Sequence, residues 1–597
     1  MSSKRRMFFT LSLLVTAWVV LISRLMWIQI LDVHQFSKHG VNLIEEAVTQ
    51  RKQEVTLHTG RGDILDRNGQ PLTGSERTGV AVFPLVRGNL DKEKIARLAE
   101  LTDLNEDQLH HVIQQVRVPT FIRDSEGKII ALNEMNAQEV DQLSLPGIVS
   151  LPITERYQPD ALATQLVGYI SQNPERIQKE YAEELKRGEI TKRTLIGASG
   201  LERSFERFLQ GVGPTTVSYF VDARGNPLNG LKSKMVEQEN QFYPLAIKTT
   251  LNKDLQKLAE ESLLHEGVAL GSVVVLDAKS REVLAMASHP VFHPGSRIEL
   301  ENGNWVNRSI KQISPGSVFK TVVAAAVLEE GVVKPDDKFH CEGHYGKYGF
   351  SCWKEGGHGE ITFAEAFAQS CNIAFAHAAL KLQPGDLEKY AEKLGLTQQV
   401  GWSQSPFFKM NTFRQLDGED RGQIFSAQTP RQDEGVLIQT AIGQRDVQIT
   451  PLQAANMMAT ILEGGEKEEV RVVKEIRYKT GSLFHSFEAH PIEGEQIDRY
   501  TAYQLRKMME SVVDSGTAQT LKDSLWKLAG KTGTAQTNSG KNNQWFVGYG
   551  PVENPQYVVV AVAEQEPKSG PNKVIPVVKR IMNELAVQQD SSHQLRP

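Results

Sequence analysis

A long apolar stretch opens the chain. Residues 7–31 carry one charged side chain, Arg24, near the far end of the stretch. A stretch of this length spans a bilayer with some tilt, and an arginine near its end can reach the membrane interface. Basic side chains in the tail at residues 1–6 predict that the tail stays in the cytoplasm. Because no small-residue cleavage site follows, we predict an uncleaved transmembrane anchor with the rest of the chain outside the cytoplasm.

Residues 32–240 combine short alternating and helical patterns. Lys52 to Leu57 alternates as a strand does, and Asp66 to Gly69 is typical of a turn. No pair of catalytic carboxylates and no activated nucleophile is recognisable in this region, so we predict an elongated pedestal or interaction domain. Its other predicted elements are helices at 91–101, 106–115 and 174–187, a strand at 217–221, a turn at 222–227 and a link onward at 237–241.

Residues 241–590 place strands at both ends of a helical middle. Ser272–Leu276 and Val283–Ser288 predict a hairpin, and Gln544–Tyr549 and Tyr557–Ala563 predict two late strands. This order favours an α+β fold, with one mostly antiparallel sheet covered by helices. Helices that begin and end this domain are predicted at Asn252–Glu266 and Val574–Ala586.

Composition limits the classes of function. The chain has 597 residues, which is too long for one hydrophobic core and predicts two or three domains. Its net charge of −5 gives no reason to expect nucleic acid as a partner. The three cysteines, Cys341, Cys352 and Cys371, are too few for a disulfide-dense secreted module.

The candidate nucleophile lies in the segment Ser314–Lys320. A Pro-Gly pair favours a tight entry into a helix predicted over 321–330. Ser317 lies at the first turn, where free backbone N–H groups and the helix dipole favour negative charge. Lys320 lies on the same face and can accept the hydroxyl proton of Ser317, provided that burial or nearby cations lower its pKa.

Two further motifs lie downstream. Ser370-Cys371-Asn372 opens an apolar segment, and Lys531-Thr532-Gly533-Thr534 precedes the two late strands. Single motifs also arise by chance. Ser524 and Lys527, for example, form a second Ser-x-x-Lys without a Pro-Gly entry. A second Lys-Thr-Gly at Lys479–Gly481 lies in a predicted hairpin turn. The copy at Lys531 is the one that we place on a sheet edge beside the site.

With Ser-x-x-Lys, Ser-x-Asn and Lys-Thr-Gly together, the chain resembles the class B penicillin-binding proteins, the membrane-anchored transpeptidases of the bacterial cell wall. The resemblance covers nearly the whole length. In one departure, Arg445-Asp446 stands where the family usually has a glycine, which leaves the fine placement of substrate open. Other segments that carry the resemblance are Ser23 to Gln29, Arg61-Gly62, Asp66 to Gly69, Gly197 to Glu202, Asn307-Arg308, Gly443-Gln444, Thr450 to Gln453, Gly516 to Ala518 and Trp545 to Gly548.

The resemblance implies a serine acyltransferase mechanism. Ser317 attacks the carbonyl between the two terminal D-alanines of a stem peptide, and Lys320 takes the proton as general base. Backbone N–H groups of Ser317 and Thr534 form the oxyanion hole. An amine of a neighbouring stem peptide then completes the cross-link, whereas β-lactam antibiotics trap the acyl-enzyme.

The same resemblance gives roles to the remaining site residues. Ser370 relays a proton towards the leaving amine, and Asn372 holds the peptide amide. Lys531 is expected to stay charged and to act through its field. Thr532 and Thr534 bind the terminal carboxylate, and Gly533 leaves room for the substrate backbone. No cofactor and no catalytic metal is expected, and a membrane-embedded glycan polymerase is the implied protein partner.

Other functions fit the sequence less well. A β-lactamase needs a deacylating water, and no convincing Glu-x-x-x-Asn loop lies between Asn372 and Lys531. A penicillin sensor would be expected to join further membrane spans and a cytoplasmic domain, and only one span is predicted. A bifunctional enzyme would add a glycan polymerase domain, and no such domain is recognisable. A D,D-carboxypeptidase shares the acylation step and differs only in using water as the acceptor.

Three interpretations stay open for Cys341, Cys352 and His358. A disulfide between the two cysteines is permitted outside the cytoplasm, and a zinc site would use all three residues. The third interpretation is a set of unlinked side chains, since the ligand spacing is irregular for zinc.

Overall fold

The computed structural model describes residues 3–31, 52–84, 91–125, 127–158, 160–220, 234–236, 240–294 and 303–594. The predicted turn at 222–227 and most of the predicted link at 237–241 lie outside these residues. The chain is divided into two compact units. The first comprises residues 1–60, 76–155 and 213–239, and the second comprises 61–75, 156–212 and 240–597. The domain boundary that the sequence suggests near residue 240 stays a prediction.

The N-terminal helix has the properties expected of a membrane anchor. It spans Ser3–Met26 and continues as a π-helical turn over Trp27–Leu31. The stretch Lys4–Ile30 is long and apolar enough to cross a bilayer, and its large apolar side chains are exposed. An all-round apolar surface on an exposed helix is typical of a segment that lipid covers.

The first unit contains two small sheets and three helices among its described residues beyond the anchor. Lys52–His58 pairs antiparallel with Thr215–Phe220, which also pairs with Lys234–Val236. The other sheet is built around Ser75–Val82, a strand that the sequence analysis missed because its outer half is polar. The remaining elements are helices Lys92–Thr102, Glu106–Gln115 and Glu134–Gln142 and strands Thr120–Phe121, Ala131–Leu132 and Ile148–Glu155.

A five-stranded antiparallel sheet forms the centre of the second unit and confirms the predicted fold class. The residues of Val558–Ala563 are all buried, so both faces of this sheet are covered. Helices Lys253–His265, Pro451–Leu462 and Val574–Gln594 pack on it. The strand order is Val283–His289, Gly271–Asp277, Tyr557–Glu566, Asn542–Gly550 and Ala529–Gln536, which puts Ala529–Gln536 at the edge.

A buried ion-pair network joins two of the sequence motifs within the second unit. Arg61 pairs with Glu202 at 2.8 Å and with Glu206 at 2.9 Å, and Arg156 pairs with Glu202 at 2.6 Å. Burial alone would raise the pKa of Glu202, but the two guanidinium groups outweigh it and hold that pKa below its ordinary value. The motifs Arg61-Gly62 and Gly197 to Glu202 therefore have a structural role.

The other elements of the second unit surround this frame. The predicted helix 174–187 is divided at Tyr181, whose side chain is buried against Ile177 and Ile196. Strands lie at Ile64–Leu65, Ile170–Gln172, Leu195–Gly197, Ala246–Thr249, Lys338–Cys341, Gly359–Thr362, Ser403–Gln404, Phe413–Arg414, Val473–Arg477 and Leu483–Ser486. Helices lie at Thr164–Val167, Pro174–Glu180, Ala182–Lys186, Gly200–Ser204, Glu206–Leu209, Lys320–Glu329, Phe363–Ala368, Asn372–Ala379, Asp386–Lys393, Glu434–Ala441 and Arg499–Asp514, with 3-10 turns at Arg308–Ile310, Gly316–Phe319 and Gln519–Leu521.

Candidate active site

Ser317 lies in a 3-10 turn, Gly316–Phe319, which we call the nucleophile turn. The turn runs directly into the helix Lys320–Glu329, whose residues 320–327 are all buried. The Ala- and Val-rich sequence has no polar face, so this helix is buried all round except at its end. Ser317 itself is half-buried and lines a cleft. The sequence had predicted a serine at the start of a helix, and the structure adds that the first turn is the tighter 3-10 form.

Two glycines let the nucleophile turn pack closely against the edge strand Ala529–Gln536 and the segment at Gly443. Gly316 has a φ of 54°, and a Cβ atom there would lie 2.3 Å from the carbonyl oxygen of Thr534. The N–H of Gly316 donates to the carbonyl oxygen of Gly443 at 3.0 Å. A Cβ atom on Gly443 would lie 2.0 Å from the carbonyl oxygen of Gly316. Any side chain at either position would separate the nucleophile turn from its neighbours.

Ser370 is held in a left-handed backbone conformation between two helices. Its φ is 54°, which a non-glycine residue rarely adopts. The flanking helices are Phe363–Ala368 and Asn372–Ala379, and Cys371 caps the second one. Strain of this kind persists only where the surrounding structure enforces it, and it is concentrated at functional sites.

Lys320 is fully buried and donates to the Ser-x-Asn motif. Its Nζ atom lies 2.7 Å from the carbonyl oxygen and 3.2 Å from the hydroxyl of Ser370. The Oδ1 atom of Asn372 lies 2.8 Å from the same nitrogen. Burial lowers the pKa of Lys320 to about 7, so a large share of this amine is unprotonated at neutral pH. The condition that the sequence analysis set for a lysine base is therefore met.

Lys531 lies in the edge strand Ala529–Gln536 and reaches the same Ser370 hydroxyl. Its Nζ atom donates to the Ser370 hydroxyl at 3.1 Å and to the carbonyl oxygen of Thr532 at 3.1 Å. The side chain is 0% exposed. Burial and the positive charge of Lys320 hold the pKa of Lys531 well below its ordinary value. The expectation that Lys531 stays charged stays a prediction, and burial and the nearby charge of Lys320 both oppose it.

The edge strand Ala529–Gln536 borders the cleft. Thr532 and Thr534 face the cleft, whereas Lys531 points inward and Gly533 is buried. A Cβ atom on Gly533 would lie 2.5 Å from the carbonyl oxygen of Pro315. The missing side chain of Gly533 thus lets the strand approach the nucleophile turn, a reason that the sequence analysis had not considered.

Three predicted motifs meet at one cleft of about 640 Å³. The sequence analysis gave no role to Thr517, although it noted the segment Gly516 to Ala518. Thr517 shares a hydroxyl hydrogen bond of 2.5 Å with Thr532. No motif marks the loop that contributes Ser351 and Trp353. The lining residues are Ser317, Gly349, Phe350, Ser351, Trp353, Ser370, Asn372, Gln439, Ile442, Gln444, Thr517, Thr532, Gly533, Thr534, Gln536, Asn542 and Asn572.

Arg445-Asp446, the pair that follows Gly443-Gln444, begins with a backbone conformation that glycine adopts freely. Arg445 has a φ of 62°, in the left-handed region that glycine adopts freely. Asp446 accepts hydrogen bonds from the N–H of Ser426 at 3.2 Å and from the hydroxyl of Thr429. Side-chain contacts of Asp446 therefore hold the loop that follows Gly443-Gln444.

The duplicate motifs lie elsewhere in the second unit. Lys479–Gly481 forms the turn between strands Val473–Arg477 and Leu483–Ser486, as predicted. Lys527 is partly exposed and pairs with Glu510 at 3.2 Å rather than with Ser524. Neither copy lines the cleft. Tertiary placement thus separates the motif copies at the cleft from their duplicates.

Family models match most of the chain. The penicillin binding protein transpeptidase domain matches residues 271–583, and the penicillin-binding protein dimerisation domain matches residues 56–243. Stage V sporulation protein D of Bacillus subtilis is 28% identical over 97% of this chain and 85% of that protein. Peptidoglycan D,D-transpeptidase MrdA of Acinetobacter baumannii is 26% identical over 94% of this chain and 84% of that protein.

Solved structures are similar over nearly the full length. A chain from a peptidoglycan synthase complex that coordinates polymerisation and crosslinking superposes with a TM-score of 0.65 at 25% identity, covering 97% of both chains. A chain from a complex of a penicillin-binding protein with MreC of Helicobacter pylori gives a TM-score of 0.60 at 22% identity, covering 90% of this chain and 99% of that chain. The second likeness concerns the fold alone.

Proposed function

Because the chain belongs to the class B penicillin-binding proteins, we propose that it cross-links peptidoglycan as a D,D-transpeptidase through an acyl-enzyme on Ser317. The observation that carries the proposal is the meeting of Ser317, Ser370 and Thr534 in one cleft, with two buried lysines beneath them. The matching transpeptidase domain and relatives named as peptidoglycan D,D-transpeptidases support the reaction class.

Acylation begins with proton removal from Ser317. The unprotonated amine of Lys320 takes the proton, and the Ser317 oxygen attacks the carbonyl between the two terminal D-alanines. Backbone N–H groups of Ser317 and Thr534 stabilise the oxyanion, and loss of one such donor costs about 3–4 kcal/mol in enzymes of this type. The amide C–N bond then breaks, and terminal D-alanine leaves after its nitrogen gains a proton.

We propose Ser370 as the residue that carries that proton. Its hydroxyl lies 3.2 Å from Lys320 and 3.1 Å from Lys531, so it connects both amines. A carboxylate that binds at Thr532 and Thr534 would offset the burial of Lys531 and favour its protonated form. Asn372 holds the donor peptide by its amide. An amine of a second stem peptide attacks the acyl-enzyme in the next step, which frees Ser317 and forms the cross-link.

A D,D-carboxypeptidase is the second candidate because it shares the acylation step. The two functions differ in whether water or an amine resolves the acyl-enzyme. Purified full-length protein should be incubated with a lipid-linked peptidoglycan precursor and a glycan polymerase. The products should include cross-linked dimers of stem peptides rather than only trimmed stem peptides. Release of D-alanine without cross-links would favour the carboxypeptidase.

Labelling with a fluorescent penicillin tests the nucleophile directly. We expect one label per chain, on Ser317, and its loss in Ser317→Ala without a change in thermal stability. Ser524→Ala is the matched control, because Ser524 belongs to the duplicate motif, and this variant should label as the parent does. A label that maps to Ser524, or that persists in Ser317→Ala, would refute the assignment.

The cell membrane and the peptidoglycan machinery are the proposed surroundings of the protein. The N-terminal helix would cross the membrane once, with its basic tail in the cytoplasm and the two units outside. The similar chain that belongs to a peptidoglycan synthase complex supports partners of the same machinery. The proposed protein partner is a membrane-embedded glycan polymerase. The β-lactam antibiotics are the proposed inhibitors. The finer likeness to penicillin-binding protein 4B of bacilli is a proposal that rests on the sequence motifs alone.

A further inference from the structure

All three cysteines of the chain and one histidine converge beside the cleft. The Sγ atoms of Cys341, Cys352 and Cys371 and a ring nitrogen of His358 all lie within 4.8 Å of one another. Cys341 and Cys371 are buried, and the three cysteines are free thiols. The disulfide that the sequence left open is therefore not formed, and Cys371 joins a group that the sequence analysis had limited to three residues.

We propose that Cys341, Cys352, His358 and Cys371 bind one zinc ion in a closed tetrahedral site. Three thiolates and one imidazole are a ligand set of structural zinc sites. With Zn–S bonds of about 2.3 Å and Zn–N bonds of about 2.0 Å, tetrahedral ligand atoms lie roughly 3.5–3.8 Å apart. The Nδ1 atom of His358 lies 3.5 Å from the Sγ atom of Cys352 and 3.7 Å from that of Cys341.

The backbone around these residues is shaped to bring the ligands together. Cys341 ends a strand and pairs with Gly359 in the hairpin that also carries His358. A Cβ atom on Gly357, whose φ is 79°, would lie 2.0 Å from the carbonyl oxygen of Cys341. The N–H of Cys352 donates to the carbonyl oxygen of Gly343 at 2.8 Å. Backbone contacts thus close the loop between the ligands, and the contact at Gly357 leaves no room for a side chain there.

Cys371 has a further contact suited to a thiolate ligand. It caps the helix Asn372–Ala379, and the N–H of Ala374 donates to its Sγ atom at 3.5 Å. Hydrogen bonds to ligand atoms orient them and tune the metal. A disulfide between two of these cysteines would leave the third unpaired, whereas one metal ion can bind all three thiolates.

The zinc ion would fix the wall of the cleft. Cys371 lies between Ser370 and Asn372, and Cys352 follows Ser351. The side-chain amide of Asn372 donates to the carbonyl oxygen of Ser351 at 3.0 Å, which ties the two ligand-bearing segments at the cleft. The metal ligands are positioning residues, since they hold Ser370 and Asn372 without lining the cleft themselves. This positioning role rests on the proposed function, whereas metal binding does not.

Metal content of the full chain, purified in detergent with a reductant and without chelator, tests the site. We expect one zinc per chain, and release of that zinc when three equivalents of an organomercurial react with the three cysteine thiolates. All cysteines of the chain belong to the site, so the thiol count has no background. Replacement by Co²⁺ should give sulfur-to-cobalt charge-transfer absorption. Protein that holds no zinc after incubation with Zn²⁺ and that shows three reactive thiols would overturn the proposal.

Ligand variants separate zinc binding from general damage. His358→Ala and Cys371→Ser should lower zinc affinity at least tenfold, whereas His340→Ala, in the same hairpin but outside the cluster, should keep it. Removal of zinc should slow acylation by a fluorescent penicillin about a hundredfold, the order of loss that a 1 Å misplacement causes. Added Zn²⁺ should restore the rate. If the protein binds zinc but acylates at the same rate after zinc is removed, the positioning role is overturned. If the protein binds zinc but takes no label on Ser317, only the proposed function is contradicted.

Discussion

The side-chain nitrogens of Lys320 and Lys531 converge on one hydroxyl, that of Ser370, at 3.2 and 3.1 Å. One lysine comes from the helix after the nucleophile turn and the other from the edge strand. Both are fully buried, and two positive charges so close in a dry site disfavour each other. Burial lowers the pKa of Lys320 to about 7, and burial together with the charge of Lys320 holds the pKa of Lys531 well below its ordinary value.

The rate of acylation should depend on the protonation of Lys320. Its pKa is lowered to about 7 by burial, and only the neutral amine can take the Ser317 proton. The second-order rate constant for a β-lactam should therefore be highest above this pKa and fall about tenfold per pH unit well below it. Stopped-flow measurement over this range, with thermal stability as a control at each pH, checks the profile. A flat profile would rule out Lys320 as the base.

Arginine at the two lysine positions should have different effects. Lys320→Arg should abolish acylation, because guanidinium does not lose its proton at working pH. Lys531→Arg should keep a measurable fraction and should place a permanent charge beside Lys320. That charge lowers the pKa of Lys320 further, so the acid limb of the profile should move to lower pH. Equal rates in the two variants, or an unmoved acid limb in Lys531→Arg, would contradict these roles.

Gly316→Ala should damage the site through contact rather than through backbone strain alone. The new Cβ atom would lie 2.3 Å from the carbonyl oxygen of Thr534 and push the oxyanion donor away. We expect acylation to slow about a hundredfold. Gly331→Ala is the matched control, since Gly331 also has a positive φ, 68°, but nothing within 4 Å of the added atom. Comparable losses of acylation in the two variants would mean that the contact with Thr534 is unimportant.

Glu202→Gln should destabilise the second unit. The change leaves Arg61 and Arg156 without the carboxylate that they share. Breaking a buried ion pair on one side costs about 3–5 kcal/mol of unfolding free energy. Thermal or denaturant unfolding measures the loss. Glu183→Gln, which removes an exposed pair with Lys186, should be indistinguishable from the parent. Similar stability of both variants would show that the network is dispensable.

The orientation of the anchor can be tested with protease added outside wall-stripped cells. The basic tail predicts that residues beyond Leu31 are digested while a cytoplasmic marker protein stays intact. Charge reversal at Lys4, Arg5 and Arg6 should reduce correct insertion. Full protection of the residues beyond Leu31 in the parent protein would reverse the proposed topology.

Much of the fold could be predicted because its signals are local. The helix Glu106–Gln115 and the strands of the hairpin Gly271–Asp277 and Val283–His289 follow from periodicity over a few residues. The break at Tyr181 was missed, since the burial of that ring by distant residues overrides the helical pattern. Ser75–Val82 was missed because its first four residues are polar and break the apolar pattern of the strand.

The sequence by itself determined the long apolar N-terminal helix, the α+β order of the second unit and the presence of the three motifs, because each depends on residues that are neighbours along the chain. Only the tertiary structure decided that Lys531 is buried beside Lys320, that Gly316 and Gly533 are needed for contact with the strand and turn opposite, and that Cys371 meets His358. Burial and close approach depend on residues brought together from distant segments. These same effects set the pKa of a buried amine and the geometry of a metal site, and local pattern carries no information about either.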